Sequence, residues 1–158
     1  MTVRLQAEAF DPGALLSAFC AGRANTGAVV SFTGLARGGD GQVERLVLEA
    51  YAGFTDAEIA RMAEDTLARF ALDDVLVVHR IGEVAPGEAI VFVATAARHR
   101  RAAFEAADQL MDYLKSRAPF WKKERGPEGE RWIEPTDRDR TDAARWDEQA
   151  PTGVQSEA

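Results

Sequence analysis

One cysteine, Cys20, stands in the 158 residues, so no intramolecular disulfide is possible. Histidine is almost as scarce. His79 and His99 stand apart and make no metal-ligand spacing with Cys20, so no metal site is expected. No serine–histidine–acid order is evident. Long apolar runs are missing too, and nothing approaches the length of a membrane span. The N-terminal MTVRLQAEAF lacks a basic start followed by an apolar core, so no secretory signal is read there. Together these absences predict a cytoplasmic protein. Positive charge is also in short supply, with 19 Lys and Arg against 26 Asp and Glu and a net charge of −7 at pH 7. That balance argues against a nucleic-acid-binding module, which would need a broad basic face.

What remains is an ordinary globular composition, 46% apolar and 28% charged, in a chain long enough to bury one sizeable core. Residues 3–8 alternate as a short strand. Asp11-Pro12 predicts a helix start, a capping side chain followed by proline at the first helical position. Cys20 falls in this helix and reads as a small packed or near-surface residue rather than a nucleophile. Residues 27–35 and 43–51 predict two strands around a loop, GLARGGDG, with four glycines in eight residues. Arg37 is the cation on that loop and taken alone reads as a solvated arginine. The loop has no lysine–serine ending, so it is not a nucleotide P-loop. Thr55 and Glu58 suggest a capping box opening a helix with Ile59, Met62, Ala63, Thr66, Leu67 and Phe70 on its apolar side. Residues 74–81 and 89–96 predict two further strands, with Pro86-Gly87 as a turn. His79 reads as a packed or hydrogen-bonded strand residue.

The stretch HRRAAFEAADQLMDYLKSRAPFWKKERGPEGERW, residues 99–132, organises the rest. Between Arg98 and Arg125 there are eight Lys or Arg and four Asp or Glu, a positive island in an acidic protein. Such an island suits one local anionic ligand. Phe104, Ala107, Leu110, Met111 and Leu114 predict a buried helical stripe. Pro119 ends the helix and leaves Lys115 in its last turn, where a cation suits the helix dipole. Residues 120–124 then read as a strand, on which Lys122 and Lys123 point to opposite faces. The order β-α-β-β-α-β-β-α-β-β is an α+β pattern. Residues 136–158, with six acidic and three basic residues, form an acidic tail. A short helix at 143–146 at most, then disorder, is expected there.

Several blocks carry a family resemblance: GAVVSFTGLARG (residues 27–38), LEAY (48–51), VVHRIGEVAPGE (77–88), IVFVATAARHR (90–100), and DYLKSRAPFWKKE followed by GERW. In this order and spacing they closely resemble the large, catalytic subunit of molybdopterin synthase over about residues 1–135. Two departures stand out. Ala52-Gly53-Phe54 replaces the Pro-Gly-Met common in relatives, and Pro135-Thr136 offers no basic residue where some relatives carry one.

The resemblance implies an α/β hammerhead fold with an additional antiparallel β subdomain. It also implies conversion of cyclic pyranopterin monophosphate (precursor Z) to molybdopterin by insertion of two dithiolene sulfurs. The sulfur would come from the C-terminal thiocarboxylate of a small ubiquitin-like partner subunit ending in Gly-Gly, with no metal or other cofactor. The implied assembly is a homodimer within a heterotetramer. Carried onto this sequence, the family pattern makes Lys115 and Lys122 the acid–base or intermediate-stabilising pair. It places Arg37, His99, Arg100 and Lys123 at the substrate. The alternative is a non-catalytic scaffold of the same fold that keeps the groove for the small subunit.

Overall fold

The computed structural model describes residues 1–148. The disorder expected at the end of the tail falls on residues outside the described ones. Two near-continuous apolar strands form the centre, β4 (Asp74–Arg80) and β6 (Ala89–Ala97). They pair antiparallel, with Val77 opposite Val93. Strands β1 (Thr2–Gln6), parallel to β4, and β2 (Ala28–Leu35), antiparallel to β6, complete a four-stranded sheet in the order β1-β4-β6-β2. Successive side chains alternate between its faces. Val75, Val77, Val91 and Val93 therefore join one core, and Leu76, Val78, Phe92 and Ala94 join the other.

Helix α1 (Pro12–Cys20) covers the second face through Phe19. The Asp11 carboxylate caps it, accepting from the backbone N–H of Gly13 at 2.8 Å and of Ala14 at 3.2 Å. Helices α2 (Thr55–Arg69) and α3 (Arg100–Ser116) cover the first face. They are joined across the core by the buried hydrogen bond from the Thr66 hydroxyl to Gln109 Oε1, 3.0 Å. Gly27 lets β2 pass the junction between β6 and α3, since a Cβ there would lie 2.2 Å from the Arg98 carbonyl oxygen.

The additional antiparallel sheet is present, in the order β5-β3-β7-β8. It is built from β3 (Arg45–Ala50), β5 (Gly82–Val84), β7 (Phe120–Gly126) and β8 (Gly129–Ile133), with Leu46, Leu48, Val84 and Ala36 in its own small core. Strand β5 has no counterpart in the sequence reading, because three residues are too few for alternation to show.

Three expectations need correction. Phe104 is 61% exposed and not part of the buried stripe of α3. Ala103, Ala106, Ala107, Leu110 and Leu114 form that stripe, and Phe104 lies one residue, about 100°, off it. Thr55 is not the cap of α2. It is fully buried, and its hydroxyl accepts from the Tyr51 N–H at 2.9 Å and donates to the Pro119 carbonyl at 3.0 Å. Glu58 accordingly closes no capping box and pairs with Arg61.

The third correction concerns the tail, which holds a twelve-residue helix, α4 (Asp137–Glu148), instead of at most a short helix at 143–146. Two features lengthen it. Thr136 and Asp139 make a capping pair, with the Asp139 N–H donating to the Thr136 hydroxyl at 3.1 Å and the Thr136 N–H to Asp139 Oδ2 at 2.8 Å. Docking on α3 does the rest. Ala143 and Trp146 are buried, Trp146 Nε1 donates to Asp112 at 2.6 Å, and Arg145 binds both Asp108 and Asp112.

Thr55→Val should strand the Tyr51 N–H and the Pro119 carbonyl inside the protein. A loss of about 2 kcal/mol or more in denaturant unfolding is expected, with Thr55→Ser close to wild type. Equal stability of the valine variant would show that the hydroxyl bridge contributes nothing.

Candidate active site

Pro119 turns the chain from α3 into β7, and this corner brings the predicted lysines together. Lys115 lies in the last turn of α3 and is exposed. Asp112, three residues before it, is taken up by Arg145 and Trp146 and is not a partner for Lys115. Lys122 is half-buried on β7, opposite Leu48 of β3 and Ile133 of β8. Arg37 follows β2 on the glycine-rich loop, beside a depression lined by residues 38–41, Val43 and Glu124. Lys115 and Arg37 both act on Lys122 as neighbouring like charges. None of the three is closed into an ion pair among the described residues.

The other candidates stand elsewhere. Lys123 points to the opposite face of β7, where it pairs with Glu130 at 2.9 Å and lies 5.1 Å from the centre of the Trp132 ring. His99 and Arg100 are exposed at the start of α3 and line a separate depression with Arg101, Phe104 and Glu105. At 1.5 Å rise per residue, Arg100 and Lys115 are about 22 Å apart along the helix. A single copy of the chain therefore does not bring His99 and Arg100 to the lysines. Cys20 is exposed on α1, across the sheet from α3.

Electrostatics single out Lys122. Burial is the largest cause holding its ammonium below the ordinary lysine value; Lys115 and Arg37 add to the effect, while Glu124 and Asp139 oppose it. Two residues of this neighbourhood escaped the sequence reading. Asp139, at the start of α4, carries a carboxylate within electrostatic reach of both lysines. Burial works against its charge, but hydrogen bonds from Thr136 and the fields of Lys115 and Lys122 outweigh that and hold its pKa below the ordinary aspartate value. The T-x-x-D spacing of Thr136 and Asp139 was a usable signal for the helix start, though not for its place beside the lysines. Glu124 shares the Lys122 face of β7 and is engaged by Arg131 at 2.8 Å.

Behind Lys122 lies His79, 7% exposed and stacked on Phe120 with centroids 4.1 Å apart. Its Nδ1–H donates to the Arg80 carbonyl at 2.7 Å, which fixes the neutral tautomer. Burial pushes its pKa down to about 4, and Lys122 adds to the effect. Among the described residues no group of three His, Cys, Asp or Glu is placed to hold a metal ion. No helix among them is long and apolar enough to cross a membrane.

Fold and site together define an α+β protein with a cationic cluster, Arg37, Lys115 and the half-buried Lys122, suited to an oxyanion. Comparison with known proteins agrees and is more specific. Residues 5–117 match the family model described as MoaE protein. A relative from Caulobacter vibrioides, "Molybdopterin synthase catalytic subunit", is 68% identical over 150 residues, covering 95% of this chain and all of that one. The solved MoaE protein of Burkholderia ambifaria superposes with a TM-score of 0.79 at 40% identity, covering 92% of this chain and 97% of that one. A Helicobacter pylori structure, a complex of subunits 1 and 2 of molybdopterin-converting factor, shares the fold with a TM-score of 0.71 at 20% identity over 86% of this chain and 91% of that one. The chain belongs to the MoaE family, the catalytic subunits of molybdopterin synthase in molybdenum cofactor biosynthesis.

The buried neutral histidine gives a test in acid. The unfolded chain takes up a proton at His79 near pH 6.5, whereas the folded protein does so only near 4. The stabilising contribution is thus full above about 6.5 and is lost as pH falls towards 4, by roughly 3 kcal/mol in all. His79→Phe should flatten the unfolding free energy against pH across that window relative to wild type. Parallel curves would show that His79 titrates normally.

Proposed function

We propose that this chain carries out sulfur transfer to cyclic pyranopterin monophosphate, taking each of two sulfurs from the C-terminal thiocarboxylate of a small ubiquitin-like partner subunit. The observation that carries the reading is the convergence of Arg37, Lys115 and Lys122 without carboxylate partners closing them into ion pairs. A phosphorylated pterin supplies the missing negative charge. The Helicobacter pylori complex of subunits 1 and 2 supports a second subunit as a partner. The position of Cys20, on the far side of the sheet, fits sulfur that arrives from outside the chain.

In each transfer the thiocarboxylate sulfur forms a bond to a substrate carbon as a carbon–oxygen bond at that carbon breaks, the oxygen leaving with the phosphate as the cyclic ester opens or, once protonated, as water, and a thioester between pterin and partner results. Water then breaks the bond between the acyl carbon and sulfur, leaving a thiol on the pterin and a carboxylate on the partner's terminal glycine. Lys122, with proton affinity lowered by burial and neighbouring cations, gives up its proton more readily than an ordinary lysine and is the group suited to general acid–base work. Lys115 and Arg37 stabilise the phosphate and the oxyanion of thioester hydrolysis, and Arg37 offers a planar donor fork for two oxygens. His99 and Arg100 reach the same substrate from a second copy of the chain, in the homodimer within a heterotetramer that we include in the proposal. Lys123, paired with Glu130, supports β7 rather than the substrate.

Reconstitution tests this directly. The purified chain is mixed with thiocarboxylated small subunit and cyclic pyranopterin monophosphate, and molybdopterin is read as its fluorescent oxidised derivative. Wild type and Cys20→Ala should form product equally. Lys115→Ala and Lys122→Ala, still binding the partner, should lose about a hundredfold or more in rate. A folded wild type that binds the small subunit and forms no product would sink the reading. Full activity in Lys122→Ala would move the proton-transfer role to another group.

A further inference from the structure

Helix α4 contributes more than a cover for α3, because its first turn delivers a carboxylate to the lysine pocket. We propose that Asp139 is a positioning residue of this site, whose fixed negative charge favours the ammonium form of Lys122 when the site is empty and weakens the site's grip on phosphate. The inference rests on the pocket being the anion site proposed above.

The placement follows from the backbone. Ile133 of β8 is directly opposite Lys122, so the chain leaves the sheet beside that lysine and begins α4 four residues later. At its other end α4 is clamped to α3 by Arg145 on Asp108 and Asp112, by Trp146 on Asp112 and by Asp147 on Arg117. Between these anchors the Asp139 carboxylate is held by Thr136, whose N–H and hydroxyl both donate to Oδ2, at 2.8 and 2.7 Å. It is therefore a fixed charge, with Lys115 and Lys122 both contributing to its electrostatic environment.

The charged and titratable groups that act on Lys122 or are acted on by it are Lys115 from α3, Arg37 from the glycine-rich loop, Glu124 from β7, His79 from β4 and Asp139 from α4. Glu124 is shared with Arg131, and His79 is neutral over most of the working range. Glu124 acts on Lys122 more strongly than Asp139 does, but Arg131 pairs with it; Asp139 acts on Lys115 and Lys122 and, among the described residues, is closed into no ion pair. A carboxylate there favours lysine protonation and repels an incoming phosphate; both effects follow from one charge at short range in a partly desolvated setting.

Asp139→Asn removes the charge and keeps an oxygen to accept from Thr136, so the cap survives. Asp139→Glu keeps the charge. Two readouts are taken on the intact chain without partner or pterin. The first is a titration of 13C-labelled lysine side chains by NMR, with the Lys122 signal assigned by its loss in Lys122→Arg. The second is calorimetric binding of inorganic phosphate. In Asp139→Asn the Lys122 midpoint should fall by about half to one pH unit, and phosphate should bind about three- to tenfold more tightly at low salt. Asp139→Glu should stay close to wild type in both.

An unchanged midpoint and unchanged phosphate affinity in a folded Asp139→Asn protein would overturn the proposal. So would identical shifts in the two variants, which would assign the effect to helix-cap geometry. Neither readout needs turnover. A wild type that fails to make molybdopterin, with both shifts still present in Asp139→Asn, would refute the sulfur-transfer reading and leave this one standing.

Discussion

The buried hydroxyl of Thr55 ties the start of α2 to the corner between α3 and β7, and the pocket depends on that corner. Its donation to the Pro119 carbonyl satisfies a backbone group that proline geometry pushes out of the helix. Immediately before it, the Arg117 and Ala118 N–H groups both return to the Tyr113 carbonyl and close the helix. Immediately after it, Phe120 enters β7 and stacks on His79. Lys115 and Lys122 sit on either side of this turn. Their relative position is therefore set by backbone hydrogen bonds and one aromatic stack, not by attraction between the lysines, which repel each other.

A protein with seven more negative than positive charges had every opportunity to neutralise such a cluster. Elsewhere it does so. Arg23 pairs with Asp74, Arg61 with Glu58 and Asp65, Arg125 with Glu83 and Glu130, and Arg145 with Asp108 and Asp112. Exposed pairs of this kind add little to stability. Their effect, together with Arg131 on Glu124, is to occupy carboxylates near the lysines: Asp112 is held by Arg145, and Glu124, on the Lys122 face of β7, is engaged by Arg131.

Much of the fold was legible in the sequence. Strands β4 and β6 are continuous apolar runs because both of their faces are covered, and Asp11-Pro12 and Pro119 mark the start of α1 and the end of α3 in residues whose geometry allows little else. Arg37, Lys115 and Lys122 were legible through a family pattern, since as isolated residues each reads as an ordinary solvated cation. The failures have local causes. The threonine-before-acid spacing that looked like a capping box at Thr55 is overridden by a tertiary acceptor, while the same spacing at Thr136 is a true cap that composition masked as tail. Phe104 satisfies a helical spacing by hydrophobicity, but small alanines pack the close contact between α3 and the sheet instead. Asp139 was invisible because nothing in sequence says that a helix beyond β8 folds back to Lys122.

The way α4 is fastened has a consequence of its own. Apart from Trp146 and Ala143, its hold on α3 is ionic, through Arg145 and through Asp147 on Arg117, all at least partly exposed. Charges in that setting are screened over about 10 Å at 0.1 M salt. Ionic strength therefore acts on the pocket from two directions, weakening its attraction for an anion and loosening the wall that carries Asp139. The two act in opposite senses on anion binding, so the affinity of this pocket should depend on salt less steeply than its bare count of cations suggests.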